Sequence, residues 1–244
     1  MLAAVFISDL HLHPQMRDIQ ERFDAFINWA QGNTRAVYIL GDFFHAWPGD
    51  DSLDAWGAGI ADQLHTLVQS GIKIYYLHGN RDFLLGNDFA ARAGMQILTD
   101  PTVVQLGSQR VLLSHGDQYC TKDRAHQWLR RFTRNRWFPP CFLKLPLNWR
   151  LFLTQAVRDH SQRKQTGKKK HHSLTKMDVV VKSMLYDMKK RDVRVLIHGH
   201  THRAREANYK EKGVIYTEFV LSDWDAYPKI LCYNLTTGIF FKQF

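Results

Sequence analysis

The stretch Ile72–Asp82, IKIYYLHGNRD, runs from an apolar, partly β-branched segment straight into a glycine followed by an amide, a guanidinium and a carboxylate. A short run that is apolar on both faces reads as a buried strand of an α/β sheet. Polar groups placed just after such a strand stand at the sheet's carboxyl edge, where open α/β folds put their sites. The same pattern occurs four more times. VFI leads to DLH (Asp9 to His11), VYIL to Gly41 and Asp42, VLL to SHGD (Ser114 to Asp117), and VRVLI to GHTH (Gly199 to His202). Together the five edges aim Asp9, His11, Asp42, Asn80, His115, His200 and His202 at one region. That is more than one ordinary ion takes, and it suffices for two metals sharing a bridging carboxylate, a design used for attack on phosphorus. One D-x-H or one G-D alone means little; five blocks, each behind a strand, point to a metal site.

Composition narrows the setting. A chain of 244 residues forms one large domain, or one domain with an insertion, and can bury a full core. Cys120, Cys141 and Cys232 lie far apart with no C-x-x-C pair. This argues for reduced thiols in a cytoplasmic protein rather than a disulfide framework or a zinc knuckle. The opening MLAAVFI reaches Asp9 too soon for a signal peptide, and its strand is needed for the site. No apolar run approaches the ~18 to 20 residues that span a bilayer.

The net charge of +10 is concentrated. Between Lys122 and His172 stand 14 Lys or Arg against two acids, Asp123 and Asp159, a local +12, while the rest of the chain carries −2. The same segment holds Trp128, Phe132, Trp137, Phe138, Trp149 and Phe152, and Pro139, Pro140 and Pro146 break it into short helices. The expected organisation is a near-neutral core, 1–121 and 173–244, with a basic helical insertion at 122–172. Three readings of the insertion stand side by side. It can be a packed subdomain whose charges are merely solvated, or a nucleic-acid surface of phosphate contacts and stacking aromatics. Or it can be a lipid surface, with cations for anionic headgroups and apolar side chains for acyl chains.

The five blocks resemble the calcineurin-like metallophosphoesterases, whose signature runs D-x-H, G-D, G-N-(H/R)-(D/E), a later H, and G-H-x-H. That resemblance spans about Met1 to Phe219 and implies two metals per subunit. Asp9, His11 and His202 would hold one, Asn80, His115 and His200 the other, and Asp42 would bridge them. A donor set of carboxylate, amide and imidazole without thiolate suits Mn2+, with iron, cobalt or zinc as substitutes. Finer detail comes from ILGDFFHAWPGDD (Ile39 to Asp51), GNRDFLLG (Gly79 to Gly86), HGDQYCTKD (His115 to Asp123) and IHGHTHR (Ile197 to Arg203). These resemble the branch of the family that cleaves UDP-2,3-diacylglucosamine to UMP and 2,3-diacylglucosamine 1-phosphate in lipid A biosynthesis, through a hydroxide activated by the two metals. By that likeness Asp42, Asn80, Arg81, His115 and His200 are catalytic. Substrate would be held by Asn80, Arg81, Asp123, Ser161, Gln165, Lys168 and His200. Gln165 stands where the branch carries Asn, His45 where it carries Glu, and Ala204 where Pro often stands.

The resemblance also implies a peripheral protein on the anionic cytoplasmic face of a Gram-negative inner membrane, with no nucleic acid and no obligate protein partner. The alternative within enzymes is a nucleotide or nucleic-acid phosphodiesterase using the same metals; the non-enzymatic one is a scaffold with a vestigial site. The fold expected is an α/β/β/α sandwich of two mixed sheets with a helical lid. Helices are expected over Asp18–Gln31, Ser52–Gln69 with Ser52 as cap, and Lys176–Lys190. Three strands are expected in the tail, with TTG as the turn between the last two.

Overall fold

The computed structural model describes residues 1–166, 178–225 and 227–244, and only the backbone of 157–166. All five strands expected from apolar runs are present: β1 (Ala4–Ile7), β2 (Ala36–Ile39), β3 (Lys73–Tyr76), β6 (Gln109–Ser114) and β7 (Val195–His198). Two mixed sheets form. The first has six strands in the order β11 (Gly238–Gln243), β10 (Lys229–Asn234), β1, β2, β3, β4 (Gln96–Ile97). The second has five, in the order β5 (Thr102–Leu106), β6, β7, β9 (Val214–Val220), β8 (Arg205–Glu211).

The two-residue period of a strand explains why these runs are apolar throughout. Val5, Ile7, Val37 and Ile39 face outward onto helices α1 (Arg17–Asn33), α2 (Ala55–Gln69) and α3 (Asn87–Ala93), sharing a core with Phe23, Phe26, Leu64 and Phe89. Their alternates Ala4, Phe6, Ala36 and Tyr38 face the second sheet and meet Val111, Leu113, Val195 and Ile197. On the far side Leu112 and Leu196 pack with Met184, Leu185 and Met188 of the last helix, α7 (Val181–Lys190). The layers are therefore α/β/β/α, as expected.

Some boundaries differ from expectation. α2 is capped by Asp54, which accepts from Gly57 N at 2.8 Å, not by Ser52. The reason is Asp50, whose carboxylate accepts from the backbone N–H groups of Gly86, Asp88 and Phe89. This draws Asp50–Ser52 into a separate 3-10 turn. The return helix begins at Val181 rather than Lys176, because Val180 is extended and its N–H bonds Tyr119 O at 2.9 Å; Lys176 and Met177 lie outside the described residues. β8 has no apolar run to announce it. It is an edge strand whose alternate residues are solvated, and its charges protect that edge from further pairing.

Topology decides where the insertion emerges. β6 and β7 are parallel neighbours, so their connection must leave the carboxyl edge of β6 and return along an outer face. α7 makes the return. The described helices between, α4 (Arg124–Thr133), α5 (Phe138–Leu143) and α6 (Leu147–Thr166), follow from the edge that carries the polar blocks.

Candidate metal centre

Backbone contacts bring the blocks together before any side chain does. Past the ends of β1 and β2 the chains stay bonded, Asp9 N to Gly41 O at 3.1 Å and His11 N to Asp42 O at 3.0 Å. A Cβ added at Gly79 would fall on the backbone N of Asp42, and one at Gly41 on the backbone of Gly79. Only glycine allows the β2 and β3 loops to touch in this way. One buried carboxylate, Asp82, then ties both loops, accepting from Gly79 N at 2.8 Å, Phe43 N at 2.7 Å, and Asp42 N and Phe44 N at 3.2 Å.

The candidate ligands are strained. Seven described non-glycine residues have positive φ, and five of them are Asp9 (57°), His11 (52°), Asp42 (51°), His200 (69°) and His202 (56°). Such backbone costs on the order of 1–3 kcal/mol per residue and gathers at functional sites.

The side chains converge. Asp9 Oδ2 accepts from Ser8 Oγ at 2.6 Å and His200 N at 2.9 Å, while its buried Oδ1 has no hydrogen-bond partner and lies 3.3 Å from His202 Nε2. His11 Nε2 and His202 Nε2 face each other at 3.4 Å. Asp42 Oδ1 accepts from Arg81 N at 2.9 Å and lies 3.7 Å from His115 Nε2; its Oδ2 lies 3.6 Å from Arg81 Nε and 4.0 Å from His11 Nδ1. His115 turns Nδ1 to Leu40 O at 2.9 Å and Nε2 to Asn80 Oδ1 at 3.0 Å. With Nδ1–H donated to Leu40 O, the Nε2 lone pair is left beside the Asn80 amide, where a shared cation can sit. The ring of His200 lies 5.1 Å from that of His115.

This donor set fits divalent cations. Asp9, His11 and His202 can offer three atoms within 4.8 Å of one another, and so can Asp9, Asp42 and His115. Asp9 belongs to both groups, so the two lie side by side. Orphaned lone pairs on Asp9 Oδ1 and His11 Nδ1 are what an ion would satisfy. Electrostatics agree. Burial and the neighbouring carboxylates Asp82 and Asp9 push Asp42 up to about 6, against the pull of His115 and Arg81. Burial, then Arg81, keeps the His11 imidazole well below its usual range, and burial with His115 does the same for His200. Burial opposes charge on His202, but Asp9 and Asp223 outweigh it and lift the ring to about 10. Crowded carboxylates and imidazoles that shift one another in both directions suit a site that holds cations.

Sequence-matched profiles then meet this geometry. The calcineurin-like phosphoesterase profile matches residues 3–204. The chain belongs to the calcineurin-like phosphoesterase family. Among relatives of this phosphoesterase, a UDP-2,3-diacylglucosamine hydrolase of Pseudomonas aeruginosa is 42% identical over 92% of each chain. Proteins of the same description from Aeromonas hydrophila and Stenotrophomonas maltophilia are each 40% identical over 91% of each chain.

Eight of the expected site residues of this phosphoesterase thus gather at one edge: Asp9, His11, Asp42, Asn80, Arg81, His115, His200 and His202. Asp123, expected at the substrate, caps α4 by accepting from His126 N at 3.0 Å. Ser161 and Gln165 lie on α6, where only the backbone is described, and Lys168 lies outside the described residues. Three participants escaped the sequence reading. His126 sits beside the site, its ring 5.4 Å from that of His200. Asp223 lies 3.5 Å from His202 Nδ1. Asp100 accepts from His115 N at 3.1 Å and Ser114 Oγ at 2.8 Å. Asp82 had a signal, as the last letter of GNRD; Asp100, His126 and Asp223 had none.

Proposed function

We propose that this chain hydrolyses the pyrophosphate of UDP-2,3-diacylglucosamine, with water entering at the phosphorus nearer uridine. The bond from that phosphorus to the bridging oxygen breaks, and UMP and 2,3-diacylglucosamine 1-phosphate leave. One observation carries the reading: a phosphoesterase site and a basic, apolar-faced insertion share one sheet edge, in a chain with hydrolases of that lipid nucleotide as relatives. When bound, two divalent cations, which we take to be Mn2+, supply Lewis acidity to phosphoryl oxygens and lower the pKa of coordinated water. Asp9, His11 and His202 would hold one, Asn80, His115 and His200 the other, with Asp42 between them. Asp82 and Asp100 keep the loops that carry Asp42, Asn80 and His115 in register.

Arg81 is placed to hold phosphate. Its side chain keeps 29% exposure while its Nε rests 3.6 Å from Asp42 Oδ2, so a charged fork remains reachable beside the candidate ligands. A guanidinium meets two phosphate oxygens at once, which an ammonium does not. Arg81→Lys is therefore expected to lower kcat/KM about 10- to 100-fold, the equivalent of ~1.4–2.7 kcal/mol, and Arg81→His is expected not to restore it. Steady-state rates on the intact substrate check this; equal rates for Arg81→Lys and wild type would reduce Arg81 to a source of diffuse potential.

We assign the insertion at 122–172 as the lid for the acylated end. Part of its aromatic set packs inward: Phe138 stacks on Phe142, with ring centroids 5.2 Å apart, and lies 6.4 Å from Phe83 of the core, while half-exposed Phe132 leans on its outer side at 5.0 Å. The rest faces out. Of eighteen exposed large apolar residues among those described, ten lie in this segment, with Trp128, Trp137, Trp149 and Phe152 at least 64% exposed. Concentrated exposed apolar surface marks a binding face. No described helix is long and apolar enough to cross a membrane. The face with its surrounding cations therefore suits reversible attachment to an anionic leaflet. Cosedimentation with vesicles containing phosphatidylglycerol is expected and should fall with added salt; equal recovery with neutral vesicles would remove the electrostatic part.

A further inference from the structure

The insertion's positive charge is not all turned outward. Among its described cations, Arg130, Arg134 and Arg150 reach into the core. Arg150 is 1% exposed and bonds Pro48 O at 2.5 Å and Asp51 Oδ1 at 2.9 Å, fastening α6 to the loop before α2. Arg130 and Arg134 go elsewhere, to two buried carboxylates at the root of the site. Arg130 Nε donates to Asp117 Oδ2 at 2.9 Å, and its Nη2 lies 3.4 Å from Asp100 Oδ2. Arg134 Nη1 donates to Asp100 Oδ2 at 3.2 Å and Nη2 to His78 O at 3.3 Å, with Asp117 Oδ2 at 3.7 Å.

The position of Arg134 has a consequence for the metal centre. Asn80 stands at the end of β3 in the first sheet and His115 at the end of β6 in the second, and no strand pairing links the two sheets there. Yet Asn80 Oδ1 and His115 Nε2 must stay about a bond length of coordination from one point, and they are 3.0 Å apart. Arg134 spans the gap behind them. One arm of its fork holds His78 O, two residues before Asn80. The other holds the carboxylate of Asp100, whose Oδ1 accepts from His115 N. A planar guanidinium fixes the separation of two acceptors better than any single-point donor. Ligand-orienting partners behind a metal site commonly govern its affinity.

We infer that Arg134, contributed by the insertion, is a positioning residue for the Asn80–His115 half of the metal centre. Retention of an ion in that half then depends on the docking of Arg134 at the end of α4, and by linkage the ion in turn favours that local contact rather than the seating of the insertion as a whole. This rests on the two-metal reading but not on the identity of the substrate.

The test is a Mn2+ titration of the full metal-free chain, followed by calorimetry and by electron paramagnetic resonance, which separates isolated from spin-coupled manganese. Wild type is expected to bind two ions and show the coupled signal. Arg134→Gln should weaken the second binding step about 10- to 100-fold and shift the spectrum to isolated manganese, leaving the first step nearly unchanged. Arg134→Lys, which keeps the charge and one donor direction, should fall between, and it carries the test if Arg134→Gln does not fold. Arg150→Gln, which loosens the insertion away from the metals, should bind both ions as wild type does. Two tightly bound ions in both Arg134 variants would overturn the inference, and so would an equal loss in Arg150→Gln, which would make the effect one of lid seating in general. A wild type that binds one ion only would overturn the two-metal reading itself, a result distinguishable from either.

Discussion

Asp9→Ala is expected to lower kcat/KM by about a thousandfold or more at saturating Mn2+, a loss of ~4 kcal/mol in transition-state stabilisation. Asp9 is the carboxylate of one proposed ion position and lies within ligand distance of Asp42 and His115 at the other, so its removal strips the first and takes charge from beside the second. It also takes away the acceptor that holds His200 N at 2.9 Å, next to a strained φ of 69° at His200. Asp42→Ala should cost a similar amount through the loss of its contacts with Arg81 and with both flanking histidines. Asp9→Asn separates the two tasks, since the amide oxygen can still accept from His200 N while the charge is gone. It is expected to retain the fold and bind less metal, with activity above Asp9→Ala and far below wild type. Kinetics alongside metal analysis of the purified variants decide the matter. Near-native turnover in Asp9→Ala would remove the two-metal reading.

Acyl chains are the second large effect. Each methylene buried from water contributes on the order of 0.8 kcal/mol, so shortening one buried chain by about four carbons should weaken binding roughly a hundredfold. UDP-glucosamine with neither chain should be a poor substrate, whereas a small chromogenic phosphodiester, needing only the metal centre, should be cleaved slowly by wild type and by Ser161 and Lys168 variants alike. The comparison of UDP-2,3-diacylglucosamine with UDP-glucosamine, under matched Mn2+ and detergent, reads the effect as a ratio of kcat/KM. Comparable efficiency on the two would set aside the lipid assignment and favour a nucleotide phosphodiesterase. A vestigial scaffold would process neither.

Five strands and the polar blocks behind them were legible because both signals are local. An apolar run apolar on both faces can only be a covered strand, and residues that follow it must stand at the sheet edge. The seven candidate ligands therefore came from the chain order alone, as did the position of the basic insertion between two of them. The edge strand β8 was not legible, since a solvated edge needs no apolar run, nor was the cap of α2, where Asp50 and Asp54 look alike in sequence until one is taken by the α3 backbone. The direction of charges was decided only in three dimensions. Asp100 reads as an ordinary acid and Asp82 as one more polar letter of its block, yet they hold two and four donors of the site loops, partners that lie up to 40 residues away. Arg130, Arg134 and Arg150 belong to a charge run that reads as a solvated or lipid-facing surface, and folding turns the first two onto the buried carboxylates of Asp117 and Asp100 and the third onto the Pro48 carbonyl. Periodicity reports which face of a segment is buried, but a hydrogen bond or ion pair between distant segments leaves no period, so the residues that bind could be read in the sequence and the residues that hold them in place could not.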